Sequence, residues 1–263
     1  MTEVNNPQYN SRIQKGGALI EDMRLLVQIW DKCQADMPHA EQIAGHVLGK
    51  QTRARVHDTI TRAFAPRFVC GNPPQAWKIV RALEDRRASV EVIRPVYYWI
   101  TARCERLLHD FVTEELFVAQ HATGAVIGTE QVSAWISKRL TSSGQRWTDT
   151  VTHKVARGLL ATLRDFGILK GASKKHVASI YLPTTSFAYL AFALSQQGVS
   201  GRKLVQHPDW GLFLLGATSV ERYFMDAHQM HLLEYQAAGS LVRISFPSST
   251  IEEYADVIAS RPH

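Results

Sequence analysis

The chain has 263 residues, enough for one or two domains at roughly 150 residues each. Hydrophobic residues make up 45% and charged residues 21%, a balance that supplies a packed core and excludes disorder over most of the length. The net charge of +6, with a pI near 9.3, permits an anionic partner without requiring one, because the placement of charge decides.

The opening residues show no basic stretch followed by an apolar one, so no secretory leader is read there. Apolar positions at three- and four-residue spacing (Leu19, Met23, Leu26, Ile29, Trp30, Cys33) predict an amphipathic helix over 18–33. A short helix is predicted at 40–48. Thr52 caps the next, which is expected to stop near Phe64, before Pro66. Gly71-Asn72-Pro73-Pro74 reads as a loop. Helices are predicted at 75–87 and 96–121, with Pro95 in the first turn of the longer one. The small, apolar run 122–128 is read as the boundary between an N-terminal helical domain, 1–125, and a C-terminal one, 126–263.

In the second half, Thr129 caps a helix over 130–140, and 141–144 form a turn. A long helix spans 147–166 and stops at Gly167. Residues 168–182 read as a small hairpin with a Gly- and Lys-rich tip. Helices follow at 185–197, 200–206 and 219–238, and alternation predicts a strand at 241–246. Thr250 and Glu253 have capping-box spacing for a last helix. The most apolar runs, 187–194 and 211–217, fall short of the roughly 20 residues a membrane span needs. Cys33, Cys70 and Cys104 are odd in number and lack CxxC spacing. They read as small core residues in a reducing, cytoplasmic setting.

The charge is concentrated in two segments. Residues 40–110 carry 12 basic and 7 acidic side chains, and residues 130–180 carry 9 and 3; the remainder is slightly acidic. Each segment holds a short helix, a turn and a longer helix, the outline of a helix-turn-helix. In the second, Val151, Val155, Leu159, Leu163 and Phe166 share the core face. Arg146, Thr150, His153, Arg157 and Arg164 lie opposite, with Lys154 at the margin. Cations and hydrogen-bonding groups in one stripe suit phosphate contact and base reading, with Thr150 and His153 best placed for base edges. The hairpin tip, with Lys170, Lys174 and Lys175, would serve as a wing.

The first unit places Lys50, Gln51, Arg53, Arg55 and Arg62 outward, but Asp58 interrupts the stripe and the glycine positions depart from the usual pattern. A third basic group, from Arg81 to Arg106, alternates with Glu84, Asp85, Glu91 and Glu105 and reads as ion pairing. His228, His231 and Glu234 could share a helix face, but lack the spacing of the two-histidine metal motif. No phosphate loop, nucleophile elbow or dinucleotide fingerprint occurs. The expectation is a non-enzymatic chain with no metal or cofactor.

Tyr9, Ile13-Gln14-Lys15-Gly16-Gly17-Ala18-Leu19, Leu48-Gly49-Lys50 with Thr52-Arg53-Ala54-Arg55, 107–112 and 155–169 occur in an order and spacing that resemble the BrxA family of BREX (bacteriophage exclusion) systems. The resemblance covers nearly the whole length. It implies a mainly α, monomeric fold with two helix-turn-helix units beside basic surface, to which the residues themselves add globular packing and the β-hairpin wing on the second unit. It also implies double-stranded DNA as partner and phage defence as context, with other BREX components as further partners. The family's likeness to helical RNA-binding proteins leaves an RNA-binding module open, and a protein-interaction scaffold is the other alternative.

Overall fold

The computed structural model describes residues 8–33, 37–50, 52–120, 126–178, 182–239 and 241–261. A single turn, α1 (Ile13–Gly16), precedes α2 (Ile20–Ile29), which ends in a 3-10 turn, Trp30–Cys33. α3 (Met37–Leu48) leads to α4 (Arg53–Asp58), which runs on as a π-helix, Thr59–Val69. α5 (Trp77–Asp85) and α6 (Val90–Cys104) follow. Then come α7 (Arg106–Asp110), a π stretch, Phe111–Leu116, and the short α8 (Phe117–Ala119).

α9 (Thr129–Ser142), α10 (Asp149–Asp165) and the hairpin of β1 (Leu169–Lys170) with β2 (His176–Val177) form a compact group. The remainder holds α11 (Thr184–Ser195), α12 (Gly201–Val205), a 3-10 turn, Pro208–Phe213, and α13 (Ala217–Gln229). It closes with β3 (Glu234–Ala238), β4 (Leu241–Ser245) and α14 (Ile251–Ala259). The fold is mainly α, and the sheets among the described residues are two small antiparallel hairpins.

Several boundaries differ from the sequence reading. The helix after Thr52 continues through Pro66 to Val69. Proline removes an amide donor and crowds the carbonyl four residues back, and the wider π register accommodates both. α6 begins at Val90, so Pro95 lies inside it, and the rod predicted over 96–121 breaks at Glu105. Thr129 is the first helical residue rather than the cap. The helix predicted over 219–238 stops at Gln229. His231 adopts a left-handed φ of 55° and residues 234–238 pair with β4, Glu234 opposite Ser245. Leu232 and Leu233 are buried at that reversal, where the Tyr254 hydroxyl donates to the Leu232 carbonyl at 2.8 Å. Cys33 is buried, but Cys70 is at the surface rather than in the core. The capping box of Thr250 and Glu253 forms as predicted. The boundary expected at 122–128 and the end of the hairpin region at 179–181 fall wholly or partly outside the described residues.

α11 is apolar all round and buried throughout its centre, Phe187 to Leu194. It packs against α6, α13 and α14. Phe187 stacks on Trp210 at 4.4 Å, and Phe192 meets Tyr254 at the same centroid distance. A second aromatic run, Trp30, Phe64, Phe68 and Tyr97, joins α2, the π-helix and α6. Each such ring, fully buried, contributes about 1.5–3 kcal/mol.

The Arg67–Glu105 ion pair is buried. The Arg67 side chain is fully buried, and its Nε donates to Glu105 Oε1 at 3.0 Å. Its Nη1 donates to the carbonyls of Gly16 at 3.2 Å and Gly17 at 2.8 Å, so the π-helix, the α6–α7 break and α1 meet at one guanidinium. α1 in turn lies across α10 at Gly158, where a Cβ would stand 2.7 Å from the Ile13 carbonyl oxygen.

Two outcomes are expected. Removing one partner of a buried ion pair costs about 3–5 kcal/mol, so Arg67→Met should lower the unfolding free energy in urea by about that much. A loss below about 1 kcal/mol would show that the pair anchors nothing. Gly158→Ala should also destabilise. Alanine gains about 1 kcal/mol of helix propensity, yet the new methyl meets the α1 backbone. A raised melting temperature would contradict that approach of the two backbones.

Candidate nucleic-acid interface

α10 starts where the Thr148 side chain accepts from the Val151 amide, which satisfies one of the free donors of the first turn. Val155, Ala156, Leu159, Leu160 and Leu163 are buried, and α10 packs on α9, whose Val132, Trp135, Ile136 and Leu140 are also buried. The turn between the two helices is held from outside. The Tyr9 amide donates to Gln145 Oε1 at 2.7 Å, and Gln145 Nε2 donates back to the Tyr9 carbonyl at 2.9 Å. The Tyr9 hydroxyl donates to Asp110 at 2.7 Å. Burial pushes the Asp110 carboxyl up, but hydrogen bonds from His109 and Tyr9 and the charge of Arg106 hold it below the ordinary range.

The hairpin after α10 pairs Leu169 with Val177 and Lys170 with His176. Its tip needs Gly171 at a φ of 100°, where a Cβ would collide with the Lys174 carbonyl. Its return strand is pinned by a bridge to Ile127, two residues before α9, whose amide donates to the Lys175 carbonyl at 2.7 Å.

The predicted residues of this unit fall on or around one hollow. Lys154, Arg157, Arg164 and Lys175 line a cavity of about 710 Å³ between α10, the hairpin tip and α1. Arg146 is exposed but lies in the turn, outside the helix on which the periodicity aligns it. Thr150, Lys170 and Lys174 are exposed beyond the hollow's walls. His153 is half-buried, with Nδ1 3.7 Å from Glu130 Oε1. Arg164 donates to Asp165 at 2.8 Å, and Lys175 Nζ donates to the Ala172 carbonyl at 2.8 Å. Among the described residues, the side chains of Arg146, Lys154, Arg157, Lys170 and Lys174 make no ion pair.

Gln14 and Lys15, on α1, also line this hollow, and the sequence reading misses both. The signal is Gly158. A glycine inside a strongly amphipathic helix marks close approach of another chain segment. α1 covers α10 from Gly158 toward Thr162 and leaves its first two turns open.

The first basic unit is more neutralised. Thr52 caps α4, as predicted, by accepting from the Arg55 amide. However, Lys50 Nζ is 2.7 Å from Asp22, and Arg62 Nε is 2.8 Å from Asp58. Arg53 and Arg55 are exposed without an ion pair among the described residues, and Gln51 lies outside those residues. The third group is largely ion-paired, but mostly with other acids than the alternation suggests. Arg81 pairs with Asp85 as read, whereas Arg86 pairs with Asp256, Arg103 with Asp209 and Arg106 with Asp110, and Glu84 and Glu105 are engaged by Arg24 and Arg67. His228, His231 and Glu234 do not share a helix face, because α13 ends before His231; no set of three such ligands is poised for a metal among the described residues.

A model of the BrxA family matches residues 7–193, which take in α1, both basic units and most of α11. The chain belongs to the BrxA family. Membership associates this BrxA-family chain with BREX phage defence. No curated protein matches it. A crystal structure of an uncharacterized protein from Magnetospirillum magneticum is similar in fold, with a TM-score of 0.56 at 16% identity over 72% of this chain and 95% of that one. Among the described residues, no helix of the BrxA-family chain is long and apolar enough to cross a membrane.

The tether on the turn is testable. Gln145→Ala removes both bonds to the Tyr9 backbone and should cost about 1–3 kcal/mol in urea denaturation. An unchanged midpoint would show that Tyr9 is held by Asp110 alone.

Proposed function

We propose that this chain is a non-enzymatic accessory protein of a BREX system that binds double-stranded DNA through α9, α10 and the hairpin, acting as a winged helix-turn-helix. The observation that carries the reading is the arrangement itself. A short helix, a turn and a longer helix lead into a hairpin with a cationic tip, and the cations on the open part of α10 have no acidic partner. Recognition helices of this kind present their N-terminal residues to the major groove, and the N-terminal turns of α10 are those that α1 leaves uncovered.

Arg146, Lys154 and Arg157 then contact phosphate, and Thr150 and His153 face base edges. Lys170, Lys174 and Lys175 place the hairpin tip on the flanking backbone. Phosphate contacts dominate, so binding is largely independent of sequence. No step of bond making is assigned to the chain, and methylation or ATP hydrolysis would fall to other BREX components.

The test is binding to a random-sequence duplex of about 30 base pairs over a salt series. With about five phosphates neutralised, log K should fall against log salt with a slope near −4 to −5. Arg157→Glu with Lys174→Glu should abolish binding and keep the fold. A slope near zero, or unchanged affinity of the double variant, would contradict the reading. Preference for an RNA duplex of equal length would contradict insertion of α10 into a major groove, which the deep, narrow groove of A-form RNA does not admit, and would favour the RNA-binding alternative.

A further inference from the structure

The hollow beside α10 does not end at α1. Lys15 lines it and also lines a second hollow, of about 340 Å³, whose other walls include Leu19, Asp22, Lys50 and Arg55. Lys50 in turn lines a third, of about 730 Å³, between α3 and α4, which Arg53 also borders. Lys15 borders the first two hollows and Lys50 the last two, so the three follow one another as a band from the hairpin tip over α1 to the start of α4. Of the acidic residues in the band, Asp22 is ion-paired with Lys50 and Asp58 with Arg62, and Glu41 is in hydrogen-bond contact with His57 at 2.6 Å. What is left over is positive. Lys15, Arg53 and Arg55 are exposed, and no ion pair engages them among the described residues.

We infer that both basic units grip one DNA duplex, and that α1 supplies the contact between them through Lys15. This rests on the DNA-binding function proposed above and adds the path of the duplex. A polyanion is the ligand that fits unpaired cations spread along a row of open hollows, because successive phosphates of one backbone can each be neutralised by one of them. A chain of this length folds to a radius of gyration of about 18 Å, so a face is about 45 Å across. At about 3.4 Å per base pair that spans about 13 base pairs. The α1 turn is fixed rather than loose, because Arg67 holds both of its terminal carbonyls. Lys15 is therefore presented at a set position between the units.

The experiment uses the full chain and hairpin-closed duplexes of about 8 and about 16 base pairs, titrated at several salt concentrations. The variants are Lys15→Glu, Arg53→Glu with Arg55→Glu, and Arg157→Glu with Lys174→Glu. Each carries exposed substitutions, and thermal melting checks its fold. One chain should bind per 16-base-pair duplex, at least tenfold more tightly than the 8-base-pair one. Lys15→Glu and the Arg53/Arg55 pair should each weaken binding to the longer duplex about tenfold. The salt slope should become shallower by about 0.9 for each phosphate that the variant no longer neutralises. Unchanged affinity in either of those variants, with binding abolished in Arg157→Glu/Lys174→Glu, would overturn the shared path and leave DNA binding to the second unit alone. Equal affinity for the two lengths would overturn it likewise. Failure of the unaltered chain to bind either duplex would overturn both this inference and the function on which it rests.

Discussion

The fold turns on a buried guanidinium. Arg67 sits in the π-helix and reaches Glu105 at the break between α6 and α7, and it donates to the last two carbonyls of the α1 region. A buried charge is tolerated only when paired and hydrogen-bonded, and here the partners come from two parts of the chain distant from Arg67 in sequence, so three segments are joined. The consequence is positional. α1 is one turn long and has too few internal bonds to hold itself, yet it is fixed against α10. Gly158 lets the α1 backbone come close, and the surface that results has α10, α1 and the start of α4 along one side.

That surface explains why the two basic units differ. In the first, Lys50 and Arg62 are bound to Asp22 and Asp58, so much of the apparent charge is internal. In the second, the cations of α10's open turns and of the hairpin tip have no acid opposite them. An unpaired surface cation is well solvated and costs the fold little, but it remains available to displace counterions from a phosphate backbone. The structural work of ion pairing is done elsewhere, at the joins of α5 with α14 and of α6 with the 3-10 turn before α13.

Much of this is legible in the sequence. The 3.6-residue spacing marks α2 and α10, the Thr250–Glu253 spacing marks the last helix, and the Gly- and Lys-rich tip marks the first hairpin. The misreadings have local causes. Pro66 and Pro95 read as boundaries, because a π register and tertiary packing that carry a helix past proline leave no pattern in one sequence. The second hairpin is hidden in an apparent helix, since residues 219–238 keep a tolerable helical pattern until the pairing of Tyr235 with Ile244 is known. Lys15 escapes notice because its role comes from a contact over many residues, and Arg67 because nothing local distinguishes a buried arginine from an exposed one.

The central claim is that the open turns of α10 and the hairpin tip meet a DNA duplex. Amide hydrogen exchange of the full chain, with and without a saturating duplex, addresses it directly, since it reports where backbone protection changes. The account predicts slowed exchange in segments covering Asp149–Arg157 and Lys170–Lys175, with α13 and α14 unaffected. Protection confined to α11–α14, or none anywhere on adding duplex, would contradict it.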